Sequence, residues 1–203
     1  MLTKKLKKIA VTGGAGYIGS HCVISLINEG YKPIIVDNFS NSYSGVIKKI
    51  ELITKKKITF YKVDLTDKKK LEKIFKKHNF FSVIHFAGYK AVGESIEKPI
   101  SYYNNNIVST LNLLECMKKN KVYNLIFSSS ATVYNESKSL TLKESGKIGN
   151  TKNPYGSSKF IIEKILMDLA KFDNKWSIRI ARYFNPISNH SSGIIKENPK
   201  NIP

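Results

Sequence analysis

The sequence predicts an α/β protein, a doubly wound parallel sheet covered by helices on both faces. Three observations predict it. Apolar strand-like runs alternate with amphipathic helix-like runs through most of the 203 residues, the pattern of successive βα units rather than of hairpins. A glycine-rich turn, Gly13-Gly14-Ala15-Gly16-Tyr17-Ile18-Gly19, joins the first strand to the first helix. The second strand closes on an acidic residue, Asp37, eighteen positions after Gly19.

The first strand is expected near 7–12 and runs straight into the glycine turn. Helix 17–30 follows and ends at Gly30, which can take the left-handed cap conformation. Pro33-Ile-Ile-Val36 reads as a buried second strand, and further strands are placed near 58–63, 82–86, 123–128 and 177–183. Helices are placed between them near 42–53, 67–78, 100–119 and 154–172. The last opens on Asn153-Pro154, a capping side chain before a proline at the first helical position. Six strands in this alternation suggest a dinucleotide-binding sheet, with ligand across the carboxyl ends of the strands. Residues 1–183 are assigned to that domain. After Asn185-Pro186 the chain turns polar and aperiodic, so 184–203 reads as loop or disorder.

Composition narrows the partners. The formal charge is +19, yet arginine occurs only at Arg179 and Arg182, and the lysines are spread along the chain. Base readout and bidentate phosphate contacts favour arginine, so nucleic acid is disfavoured. Cys22 and Cys116 lack any metal-ligand spacing and read as core thiols of a reducing compartment. The apolar part of the amino terminus stops at Val11, and no segment approaches the length of a membrane span. A cytoplasmic location without membrane contact or metal is expected.

In the glycine turn, Gly13 permits the tight bend, Gly16 lets backbone approach a pyrophosphate, and Gly19 lets helix pack on strand. The unpaired N–H groups opening helix 17–30 then face phosphate charge. Asp37 stands where a carboxylate accepts hydrogen bonds from a ribose, and it would repel a 2′-phosphate; this favours NAD over NADP. Asp64 has two readings, as an acceptor for the adenine amino group or as a cap for helix 67–78. Tyr155 and Lys159 lie one helical turn apart on one face. Ser130 follows strand 123–128, at the end of the sheet where that helix begins. A serine, a phenol and an ammonium so placed suit proton transfer at a hydroxyl carbon, with Lys159 expected to depress the Tyr155 pKa. His85 ends an apolar strand and reads as a buried structural histidine.

The glycine turn with Tyr155-x-x-x-Lys159 resembles the extended short-chain dehydrogenases/reductases. Longer strings, Val11–His21, His85–Ser95, Phe127–Tyr134 and Arg182–Pro186, resemble the UDP-sugar 4-epimerases among them. The resemblance implies retained NAD and interconversion of UDP-glucose and UDP-galactose through a 4-keto sugar. It implies Tyr155 as acid and base, Lys159 on the nicotinamide ribose, and Ser130 on the reacting sugar oxygen. The implied cofactor contacts are Gly13, Gly16, Tyr17, Ile18, Gly19, Asp37, Asn38, Asp64, Leu65, Phe86, Ala87, Gly88, Lys90, Asn105, Tyr155, Lys159 and Phe184. Those to the UDP-sugar are Lys90, Ser130, Tyr155 and Asn185. Asn135 departs from the family's usual glycine. Such enzymes continue past the equivalent of 201–203 into a region that supplies most substrate contacts, so a truncated form with little activity is expected, a homodimer when full-length. Two alternatives are an inactive NAD-binding module or decaying-gene product, and a sugar-nucleotide 4,6-dehydratase. The dehydratases resemble this chain but carry an acidic pair before the equivalent of Val133-Tyr134, where Ala131-Thr132 stands here.

Overall fold

The computed structural model describes residues 6–134, 141–187 and 189–197; Asn135 and the tail 198–203 lie outside them. The strands are β1 (Lys8–Thr12), β2 (Lys32–Asp37), β3 (Thr59–Lys62), β4 (Phe80–His85), β5 (Asn124–Ser130) and β6 (Ser177–Tyr183). The helices are α1 (Tyr17–Asn28), α2 (Gly45–Thr54), α3 (Lys68–Lys77), α4 (Val92–Glu97), α5 (Pro99–Tyr103), α6 (Ser109–Lys119) and α7 (Pro154–Phe172). Among the described residues the strands form one sheet in the order β3-β2-β1-β4-β5-β6, every pair parallel. The predicted doubly wound sheet is therefore present, and the order reverses between β1 and β4.

Both faces of the sheet are buried, which is why its central strands read as continuous apolar runs. Alternate residues supply two cores. Ile9, Val11, Ile35 and Ile84 pack with Val23, Ile24 and Ile27 of α1 and with Ile47 and Ile50 of α2. Ala10, Ile34, Val36, Val83, Leu125 and Phe127 pack on the other side, against Leu71 and Phe75 of α3, Leu113 and Met117 of α6, and Ile162 and Leu166 of α7. Beyond β6 the described residues hold no regular element, but Ile195 is buried against the α1 side. No helix among the described residues is long and apolar enough to cross a membrane.

The termini of the elements follow local chemistry. Gly30 takes a left-handed φ of 77° just beyond α1. The Asn153 side chain accepts from the Gly156 N–H at 2.8 Å at the start of α7, with Pro154 in the first turn. Two expectations are corrected. The predicted helix 100–119 is interrupted by a π turn over Asn104–Val108 between α5 and α6. The short α4 precedes it; with only six residues and Gly93 inside, it is too brief for periodicity to announce. The cap of α3 is Asp67, which accepts from the Lys70 N–H, and not Asp64, whose carboxylate accepts from Thr66 and from the Asn38 amide.

Candidate active site

The reversal of strand order opens a crevice at the carboxyl ends of β1 and β4, and two loops leave from it. Thr12 pairs with Val36 and with His85 across the sheet, so the glycine turn and the Phe86–Lys90 segment start side by side. Gly13 adopts a φ of +68°, and a Cβ there would stand 2.6 Å from the Ala87 nitrogen. A Cβ on Gly19 would overlap the Gly13 carbonyl. Only glycine lets these two loops and α1 close on one another. The first-turn N–H groups of α1 emerge at the rim of the crevice, with Gly16, a residue without a capping side chain, at the cap.

Asp37 closes β2 beside this turn. Its carboxylate accepts from the backbone of Ala15 at 3.0 Å and of Phe39 at 2.8 Å, and from the Ser42 hydroxyl at 3.3 Å. Burial nevertheless raises its pKa, with those hydrogen bonds opposing the rise. Asn38 and Asp64 meet through a 2.8 Å hydrogen bond next to it. Leu65 is set apart from this group, because its side chain is buried in the core.

At the other side of the crevice β5 ends in Ser130, whose hydroxyl accepts from the Thr132 N–H at 3.2 Å and lies within hydrogen-bond reach of Tyr155. The same serine thus starts the 3-10 turn Ala131–Val133 and touches the phenol. Lys159, 5% exposed, donates to the Ser128 carbonyl at 2.9 Å and sits 4.9 Å from the Phe127 ring centre. Ser130, Tyr155 and Lys159 are therefore gathered by the meeting of β5 and the first turns of α7. The expected depression of the Tyr155 pKa is not seen: burial raises it and the Ser130 hydrogen bond only partly offsets that. The reason is geometric, since the Lys159 ammonium is turned to a backbone carbonyl. Desolvation pulls Lys159 itself down to about 8, opposed by Glu163.

His85 is 1% exposed and lies behind the crevice. Thr110 donates to the Asn106 carbonyl, so its oxygen accepts from His85 Nε2 at 3.0 Å, and His85 Nδ1 accepts from Thr12 at 2.6 Å. Burial and the Lys159 charge lower its pKa to about 3, so the ring stays neutral. Asn106, buried in the π turn, spans the Tyr89 backbone and the Ser158 hydroxyl of α7. Asn105 is bonded to the Asn106 side chain, and Lys90 pairs with Glu197 at 3.3 Å. Phe86 meets Tyr183 at a tilt, with ring centres 6.5 Å apart. Phe184 and Asn185 are exposed just past β6. Tyr17 meets His21 edge-on at the start of α1.

Sequence reasoning missed Asn106, Ser158, Glu163 and the Arg182 side chain as parts of this region. Asn106 is masked by two neighbouring asparagines, and nothing in a helical period signals a π turn. Glu163 carried a weak signal, lying one helical turn beyond Lys159.

The family model described as GDP-mannose 4,6 dehydratase matches residues 10–201. A UDP-glucose 4-epimerase of Dictyostelium discoideum is 54% identical over 196 residues, covering 97% of this chain and 57% of its own length. That of Homo sapiens is 47% identical over 203 residues, covering 97% and 58%. Among solved structures, a UDP-glucose 4-epimerase from Bifidobacterium longum in complex with NAD+ and UDP superposes with a TM-score of 0.94 at 49% identity. It covers 97% of this chain and 59% of its own. The chain thus spans about 58% of the length of the curated relatives it matches.

Proposed function

We propose, from the premise that this chain belongs to the GDP-mannose 4,6 dehydratase family, that it carries the NAD-binding and proton-transfer machinery of a UDP-glucose 4-epimerase. The observation that carries the reading is the gathering of Ser130, Tyr155 and Lys159 beside the glycine crevice. Likeness to epimerases, one of them solved with NAD+ and UDP, supports it.

The residues present fit a dinucleotide. Gly13 and Gly19 let the glycine turn, the Phe86–Ala87 segment and α1 pack backbone on backbone as a cradle with no side chain between them, and the amino end of α1 presents N–H groups to a pyrophosphate. Asp37, with Asn38 and Asp64 beside it, would hold the adenosine end and would repel a 2′-phosphate. Gly16, Tyr17, Ile18, Phe86, Ala87, Gly88, Lys90, Asn105 and Phe184 would complete the contacts, with Leu65 through its backbone alone since its side chain lies in the core, and Asn185 with Lys90 would face the UDP-sugar. When bound, NAD supplies a reversible hydride acceptor for C4 of the sugar. Tyr155 takes the C4 hydroxyl proton and later returns it. Ser130 orients the reacting oxygen through the hydrogen bond it already makes at the phenol. Lys159 would favour the phenolate by charge once its ammonium turns from the Ser128 carbonyl toward the phenol, opposing the burial that raises the Tyr155 pKa in the chain alone.

The family's dehydratase chemistry is disfavoured by two residues. Ala131 and Thr132 precede Val133-Tyr134, and the Thr132 hydroxyl is spent on Ser130 at 3.0 Å. No carboxylate stands there for a further proton abstraction. The free thiols Cys22 and Cys116 support a cytoplasmic setting. Exposed apolar side chains on neighbouring helices, Ile100 and Leu111 among them, support pairing as a homodimer. Calorimetric titration with NAD and NADP, followed by addition of UDP-galactose to the NAD-loaded chain, tests the function. Preferential NAD binding is expected, with UDP-galactose-dependent reduction of the bound nucleotide once the chain is extended to the length of its relatives. Absence of NAD binding refutes the reading; binding without reduction favours the inactive module.

A further inference from the structure

Behind Lys159 the structure holds a closed ionic cluster that the proposed chemistry does not use. Glu163, one helical turn along α7, is fully buried at 0% exposure. Both of its oxygens are engaged. Oε1 accepts from the Ser129 hydroxyl at 2.5 Å and from Arg182 Nε at 3.0 Å, and Oε2 accepts from Arg182 Nη2 at 2.8 Å. Ser129 and Arg182 are register partners in β5 and β6, so the carboxylate bolts α7 across two strands. Arg182 is fixed in turn by the Glu144 carbonyl at 3.2 Å and lies 4.9 Å from the Tyr134 ring centre.

A buried ion pair is rarely retained for stability, since the desolvation of two charges consumes most of their attraction. A carboxylate in a place this dry acts at longer range than one in water. Among the described residues the charged or titratable groups around Lys159 are few. On α7 they are Tyr155 and Glu163, on β4 the neutral His85, and on β6 Arg182 beyond Glu163; β5 offers the Ser128 carbonyl and the Phe127 ring. The uncharged Gly88 lies beside both the Asn106 amide and the Lys159 ammonium.

We propose that Glu163 is a positioning residue for Lys159, its carboxylate locked by Arg182 and Ser129 so that this turn of α7 is held on β5 with the Lys159 ammonium seated at the Ser128 carbonyl. The inference rests on the role given to Lys159 above. Arg182 neutralises enough of the carboxylate to keep Lys159 from collapsing onto it, and leaves the lysine bonded to the strand carbonyl instead. The direction of the Glu163 influence on Lys159 agrees, since it raises a pKa that burial lowers.

The test is competitive acylation of the whole chain across pH, read lysine by lysine by mass spectrometry. The Lys159 midpoint is expected to fall by about one pH unit in Glu163→Gln, because an opposing charge is lost and Arg182 is left unpaired. Glu163→Asp, which keeps the charge but withdraws it, should fall between that variant and the parent. Lys164 on the outer face of α7, paired with Asp168, is the internal control and should not move. If Glu163→Gln does not fold, the Asp variant alone decides. A Lys159 midpoint unchanged in the variant that folds overturns the proposal, as does an equal shift at Lys164. NAD affinity is measured alongside. A chain that shows the shift yet binds no NAD would remove the proposed function and leave this inference standing.

Discussion

The neutral histidine behind the crevice ties stability to pH in a way that can be worked out. His85 titrates at about 3 in the folded chain against an ordinary value of 6.5, chiefly through burial. Between those values the unfolded chain binds a proton there and the folded chain does not. Stability therefore rises with pH across the window, is fully present above the ordinary value, and is lost as pH falls toward the folded one. At about pH 5 the loss is roughly 1.5 units at about 1.4 kcal/mol each, or about 2 kcal/mol. Other groups titrate there too, so the measurement is a difference. His85→Gln keeps an acceptor for Thr12 and a donor for Thr110, the two roles the ring plays, but cannot take a proton. Urea denaturation of parent and variant at about pH 7.5 and about pH 5 should show the parent losing about 2 kcal/mol more than the variant. Equal losses would refute the assignment of a neutral, buried imidazole.

Three further outcomes are expected. Tyr155→Phe should leave NAD affinity intact and cut C4 epimerisation ~10²–10⁴-fold, measured by coupled assay on a chain extended to the length of its relatives; turnover like the parent's would remove the tyrosine from the chemistry. Asp37→Ala should bring NAD and NADP affinities together in calorimetry, and an undiminished preference for NAD would place the discrimination elsewhere. Gly19→Ala should abolish NAD binding and cost about 1–3 kcal/mol of stability through overpacking, because the added methyl overlaps the Gly13 carbonyl; a variant that binds NAD normally would contradict the cradle.

The legible parts of this fold were those whose cause is local. Gly30, Asn153 and Pro154 mark helix ends by their own backbone preferences, and the buried runs at β1, β2 and β4 betray a sheet covered on both sides. The i, i+4 spacing of Tyr155 and Lys159 and the place of Ser130 after its strand were readable in the same way. What could not be read depends on tertiary contact. The Lys159 ammonium is directed by a strand carbonyl thirty-one positions earlier, and Glu163 by an arginine on another strand. Leu65 adjoins the charged Asp64 in sequence but points its side chain into the core. The choice between Asp64 and Asp67 as a cap turned on three residues, a distance within which turn geometry decides.

The π turn between α5 and α6 makes the length of that segment a fixed quantity. One surplus residue lets Asn106 face inward to Ser158 while Tyr102 above and Leu113 below both remain buried. An ordinary helix advances about 100° per residue. Deleting any one asparagine of the run Asn104–Asn106 would make the helix more regular and would swing everything on one side of the deletion by that angle, taking Tyr102 or Leu113 out of its core. The triplet is chemically repetitive and looks expendable in an alignment of letters. Its count is nonetheless as constrained as any side chain in the crevice, and natural variation there should substitute residues far more readily than lose them.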